Sequence, residues 1–290
     1  MIYNIFILYA IFLMKTNITN SNLIKLEINK SVSINTKPKS NKKIFQNYVS
    51  VPFVVTLLCI TSWVFGYGNL DLIRYWYGFS LTCLLGIRAC EFIEIKYYHF
   101  LTEMCYYINV ISIFVVLFDY DVRIIYPFTH GPLLLYCIMF GDAPIPDRLT
   151  RVLTYVIHSY SALVSRKIYW TKNYDNPPIN NFNSFMGELK MSTKIYLIWF
   201  ITYSIYLIWY NGESDTMIKY IFKFEKNTKP DLKLKLLWLG IHFIVILLGC
   251  CFGIISKYNY WFNLFIILVL FAFSIYNTGK FYYRQLQKNN

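Results

Sequence analysis

Charge is what this sequence has least of. Only 15% of its 290 residues are charged, and just 15 of them are acidic. A soluble domain carries nearer a quarter, because its surface must be solvated. The apolar segments also follow one another too closely for two soluble cores. Several signatures are missing as well. There is no GxSxG elbow, no phosphate-cradling glycine loop, no HExxH and no HxxxxD pair, which excludes the commonest hydrolase, nucleotide and zinc-protease layouts. The seven cysteines lie inside or at the edges of apolar runs, with no CxxC or Cys/His set among them. They read as small buried hydrophobes and exclude a disulfide framework and a zinc site; no metal is expected. No inverted repeat or pair of broken helices relates the two halves, which weighs against a solute transporter.

What is there instead is apolar. Hydrophobic residues make up 57% of the chain, and the mean hydropathy is +0.41. The excess of Asn, Lys, Ile and Tyr reads as a compositional bias of the source genome. A membrane-crossing helix needs about 20 mostly apolar residues. Eight candidates follow one another, at about 49–67, 70–90, 103–119, 122–140, 149–168, 193–211, 234–256 and 259–277. The seventh and eighth are the clearest, whereas the fourth and fifth carry polar residues, as helices inside a bundle do. Tyr and Trp mark many ends, as at Tyr75-Trp76-Tyr77 and Tyr258 to Trp261, which suits headgroup level. The expected fold is all-α, a polytopic transmembrane bundle of about eight spans. Residues 49–290 form one transmembrane domain. Residues 1–48 form an N-terminal segment and a basic cytosolic arm. The first 14 residues are apolar but short, and a signal peptide is one reading of them, although they lack a basic start and a small-residue cleavage site.

Charge orients this bundle. The net charge is +13, which in a soluble chain would suggest nucleic acid. Here Lys and Arg gather in loops, where they set topology and meet anionic lipid, so no nucleic acid is expected. With both termini cytosolic, the inside segments hold about 20 of the 28 Lys and Arg. The basic run from Lys219 to Lys235 is a topology signal first and a possible attractor of a polyanion such as coenzyme A second.

Some polar residues need another account. Residues 88–109 pack Arg88, Glu91, Glu94, Lys96, His99, Glu103 and Asn109 between two apolar runs. If helical, His99 and Glu103 share a face, and a carboxylate beside an imidazole makes it a better base. The plainer alternative is a solvated turn between helices. His158 lies in mid-span, where an ionisable group is a functional candidate by default; the alternative is a hydrogen bond to a neighbouring helix. His242 has apolar surroundings and reads as packing. His130 precedes Gly131-Pro132, where a helix begins or kinks, and reads as structural.

These segments together resemble the glycerophosphocholine acyltransferase family. The stretch from Arg88 to Asn109, with Cys105-Tyr106-Tyr107-Ile108-Asn109, is similar to its pattern of an Arg, then basic residues, then H-x-F-L-x-D-x-C-Y-F-x-N. Gly131-Pro132-Leu133 resembles its G-P-L. Counting on without a gap, Ile157-His158 falls on its I-H and Trp170 on a helix-ending tryptophan. Tyr276 to Tyr282 resembles its W-N-G-x-x-Y ending. The match spreads from about residue 74 to 286. It implies transfer of a fatty acyl group from acyl-CoA, as co-substrate with no other cofactor, onto glycerophosphocholine. It also implies residence in the endoplasmic reticulum membrane. Its implied site is His158, or His99 oriented by Glu103, as base, with Arg88, Asn109, Arg148, Arg151 and Trp170 binding substrate.

The chain departs from the family in two places. Where the family carries R-N-S-L-V-F-H-S-x-D-K-x-T-S, this chain has Gly141 to Thr154, with Asp147, Thr150 and Arg151 replacing the His and the Asp-Lys pair. His99 also lies one residue nearer the acid, which here is Glu103. The rival expectation is therefore a lipid-binding or lipid-moving relative without catalysis, with a solute transporter further behind.

Overall fold

The computed structural model describes residues 56–95, 97–139, 144–145, 149–173, 182–209 and 231–289. The expected N-terminal arm, most of the basic 219–235 run and Arg148 lie outside them. Eight helical segments stand among the described residues, one over each expected span. These are α1 (Thr56–Tyr67), α2 (Leu70–Glu94) and α3 (Met104–Leu117). Next, α4 is built of three joined pieces (Tyr126–Phe128, Thr129–Leu133 and Leu134–Met139). Then come α5 (Leu149–Asn173), α6 (Phe182–Trp209), α7 (Leu232–Lys257) and α8 (Tyr260–Asn289).

Three of these helices, α6, α7 and α8, are long and apolar enough to cross a membrane. That is fewer than the eight expected from hydropathy runs, and the reasons are local. α3 has only 14 residues. α4 is interrupted. α2 holds Asp71, Arg74, Arg88, Glu91 and Glu94, and α5 holds Arg151, Arg166, Lys167 and Lys172. The sixth run is longer than expected, because α6 starts at Phe182 rather than near 193.

The chain divides into two compact units, one of residues up to Trp76 with Pro144–Val152, the other Tyr77–Ala143 with Leu153–Asn290. In the first, the Asn69 side chain accepts from the Leu72 N–H at 2.8 Å and starts α2. Trp76 donates to Thr61 at 3.0 Å, tying α2 to α1. In the second unit the same capping device starts α7, through Asp231 and the Leu234 N–H at 2.9 Å. It also starts α8, through Asn259 and the Phe262 N–H at 2.9 Å. Each side-chain oxygen satisfies an amide that has no partner within its helix.

The core of the second unit lies between α3, α6 and α7, where Met104, Ile108, Tyr196, Trp199, Trp238, Ile246 and Cys250 pack together. α4 crosses α7 with almost no side chain between them. A Cβ on Gly131 would strike the Gly249 carbonyl, and one on Gly253 would strike the Pro127 carbonyl. Gly249 and Gly253 thus form a GxxxG face that lets the backbones touch. Pro132 lacks an amide and cannot continue an α-helical ladder, and residues Thr129–Leu133 take a π-turn there. Large apolar side chains point outward along the long helices, among them Ile198, Ile201, Ile244, Leu248 and Phe265. That is the distribution a lipid-facing surface needs.

Candidate functional site

Several of the polar residues singled out in 88–109 are held by neighbouring helices, and Lys96 lies outside the described residues. Arg88, near the end of α2, is buried and fully engaged on one edge. Its Nη1 donates to Glu91 at 2.7 Å and its Nη2 to Thr154 on α5 at 2.9 Å. The guanidinium lies 4.1 Å over the Phe92 ring, and Nε has no hydrogen-bond partner. Burial of this cation is offset by a carboxylate, a hydroxyl and a ring face together.

His99 and Glu103 do not share a helical face. The chain forms a 3-10 turn over Tyr98–Thr102 and becomes extended at Glu103, with φ −67° and ψ 152°. The expected four-residue spacing on one helix is thereby replaced, because Glu103 is where α3 begins. Both side chains instead turn to α6. His99 Nδ1 bonds the Tyr206 hydroxyl. The Tyr203 hydroxyl donates to Glu103 Oε1 at 3.0 Å and accepts from the Trp238 indole at 3.4 Å. Trp199 Nε1 donates to the Thr102 carbonyl at 2.9 Å. Trp199, Tyr203 and Tyr206 lie on successive turns of α6 and clasp the whole connection. Burial holds the His99 imidazole below its ordinary value, so it is neutral near pH 7 and able to accept a proton.

His158 is buried on α5, one turn beyond Thr154, with its ring edge-on to Tyr136 at 5.7 Å. Tyr136 reaches on to His242 Nε2 at 3.1 Å, and Tyr196 bonds His242 Nδ1 at 2.9 Å. His242 therefore has both ring nitrogens engaged in the aromatic core. Asn109 donates to the Cys105 carbonyl at 2.7 Å and the Ile157 carbonyl at 2.9 Å, and accepts from Ser161. Its bonds fasten α3 to α5.

The fold thus holds Arg88 and Asn109 against α5, which also carries His158, and His99 and Glu103 against α6. Arg151 is exposed on the first turn of α5, and Arg148 is not among the described residues. Trp170 lies sixteen residues beyond Thr154 on the same helix, roughly 24 Å away at the helical rise. There it packs edge-on against Tyr169 and Tyr260. The tyrosines that hold His99 and Glu103 escaped the reading of the sequence. Their only signal was an aromatic stripe at helical spacing (Tyr196, Trp199, Tyr203, Tyr206), which resembles any core face.

Compared with protein-family models, with curated proteins and with solved structures, the chain matches none.

Proposed function

We propose that this chain is a multi-span membrane acyltransferase. It would move a fatty acyl group from acyl-CoA to glycerophosphocholine, or a related glycerophosphodiester, to give a lysophospholipid. The observation that carries the reading is the clasped turn at 98–103, which holds a buried neutral imidazole and a buried carboxyl group against neighbouring turns of α6. The thioester is already activated. The protein has only to hold it, take the proton from an acceptor hydroxyl as its oxygen attacks the thioester carbonyl, and stabilise the oxyanion before CoA leaves. His99 is the base in this reading, with His158 the second candidate. Glu103 and Tyr206 fix the turn that presents His99. Arg88 offers Nε to a phosphate, and Arg148 and Arg151 enter the substrate-binding set through the family resemblance alone. Asn109 holds α3 against α5. Trp170 joins the substrate-binding set through the family resemblance alone.

In this reading all eight helices cross the endoplasmic reticulum membrane, with both termini cytosolic. Two sets of contacts support an alternating path. Arg88–Thr154 and His99–Tyr206 join helix ends that the charge rule places inside. Lys172–Asp119 at 2.8 Å and the Lys257–Glu188 pair join ends that it places outside. A second reading, a lipid-binding or lipid-moving relative without catalysis, is favoured by Arg88 having two of its donors occupied within the chain.

The test is acyl transfer by membranes from cells that lack the activity and express this chain. Labelled glycerophosphocholine and long-chain acyl-CoA are supplied, and labelled lysophosphatidylcholine is expected above the empty-vector control. A folded protein that releases no CoA with any glycerophosphodiester, yet binds phosphocholine lipid saturably, would replace the first reading with the second.

A further inference from the structure

The end of α5 away from Thr154 is lined by ion pairs and aromatic rings. Asp119 holds Lys172 of α5, and Glu188 of α6 holds Lys257, the last residue of α7. Each cation there meets one carboxylate. Arg166, on the same stretch of α5, has no carboxylate partner among the described residues. It is half-buried, and its Nε and Nη2 are enclosed without a hydrogen-bond partner. The guanidinium lies 4.4 Å over the Tyr260 ring at the start of α8. An arginine cannot shed its charge. A ring face offsets part of the cost of enclosing that charge, but it accepts nothing from the two edge N–H groups.

A third donor lies against the same ring. Trp170 is one turn further along α5, about 6 Å by the helical rise, and shares a face with Arg166. It is 7% exposed and stands edge-on to Tyr260 at 5.3 Å, and its Nε1 has no hydrogen-bond partner. All three N–H groups are donors only. What this place lacks is one negative charge on an acceptor that several donors can share.

That need limits the ligand. Water would accept from the donors and leave the charge uncompensated. A phosphate monoester would bring about 1.5–2 charges where one is missing. A carboxylate brings one, but on a carbon stem, and the nitrogens it must reach are enclosed. A halide has the single charge, no stem and no preferred direction, so one ion can accept from the Arg166 edge and the indole together.

We propose that Arg166 and Trp170 hold a halide ion, chloride in the cell, beside the Tyr260 ring, and that the bound ion stabilises the contact between α5 and α8. The site is independent of the acyl-transfer reading, since it needs no acyl group and is read out through ion binding and stability.

The test follows thermal unfolding of the purified full chain in an uncharged detergent. Sodium gluconate is replaced stepwise by sodium chloride or sodium bromide at constant ionic strength, so that general screening does not change. Either halide should raise the melting temperature by a few degrees along a saturating curve, as a ligand of the folded state does. Arg166→Gln should lose that dependence. In gluconate alone it should melt no lower than the wild type, because it removes an uncompensated charge. Trp170→Phe keeps a ring and deletes one donor, so it should weaken halide binding about tenfold or more, the weight of one hydrogen bond to a charged group. Chloride NMR, whose line broadens as the ion exchanges with a bound site, should rank the three proteins in the same order without relying on stability. Absence of a saturable halide effect in the wild type, in melting or in line width, would overturn the proposal, as would an undiminished effect in Arg166→Gln. Equal stabilisation by acetate or sulfate would overturn the choice of a halide.

Discussion

The Tyr203 hydroxyl donates to Glu103 across one hundred residues of sequence, one helical turn from where Tyr206 meets His99. α6 thereby determines where the 98–103 turn can lie. Tyr203→Phe removes the hydroxyl that a buried carboxylate depends on. Leaving a buried acceptor without its partner costs about 1–3 kcal/mol. The variant is expected to unfold at lower temperature by roughly that free energy, and Tyr206→Phe should be milder because Glu103 keeps its partner. Thermal unfolding in detergent checks both.

If His99 is the base, His99→Asn should lower acyl transfer by about 10²–10⁴-fold, the usual weight of general-base catalysis, without loss of expression. His158→Ala run in parallel distinguishes the two candidates. The one whose removal leaves transfer intact is not the base.

The lowered His99 pKa has a consequence for pH. A histidine that is harder to protonate folded than unfolded contributes nothing above its unfolded value near 6.5 and costs stability as pH falls below it. The His99 contribution should therefore turn unfavourable on acidification from about pH 6.5. Glu103, whose buried carboxyl is pushed up to about 7, contributes in the opposite direction, and His99→Asn should remove the unfavourable part. Acyl transfer should keep its basic form below the same pH, placing its acid limb lower than that of an ordinary histidine.

The backbone contact between α4 and α7 predicts a sharp contrast between glycines. A Cβ on Gly131 would meet the Gly249 carbonyl, whereas one on Gly240 would meet nothing within 4 Å. Gly131→Ala should destabilise by about 1–3 kcal/mol, the cost of overpacking. Gly240→Ala should be neutral or slightly stabilising, because alanine is the better helix former. Melting temperatures of the pair decide it.

Lys257 has no solvent exposure and pairs with Glu188. Glu188→Gln leaves that ammonium buried without its counter-charge, which costs about 3–5 kcal/mol. The double variant Glu188→Leu/Lys257→Met should recover most of the loss, since a well-packed apolar pair replaces a buried ion pair with little penalty. A double variant as unstable as Glu188→Gln would show that the ions matter for more than mutual compensation.

The eight-crossing path is checked by inserted glycosylation acceptors. One placed within 174–181 should be glycosylated in the endoplasmic reticulum, and one within 212–230 should not. The reverse pattern would invert the bundle, and glycosylation at both would remove a crossing between them.

The sequence by itself determined the helical class and, among the described residues, roughly where the helices lie, because an apolar run long enough to hide its backbone has few other ways to satisfy it. Sequence also marked Arg88, His99, Glu103 and His158, since polar residues among apolar runs are conspicuous. It could not say which helices are long enough to cross, because Pro132 and the charges on α2 and α5 act through local geometry that hydropathy averages away. Partners were decided by the tertiary structure alone. The His99–Glu103 spacing suggested one helical face, yet the chain breaks into a 3-10 turn there because Tyr206, Tyr203 and Trp199 offer its polar groups better partners on α6. A hydrogen bond between residues one hundred positions apart leaves no mark on either local sequence.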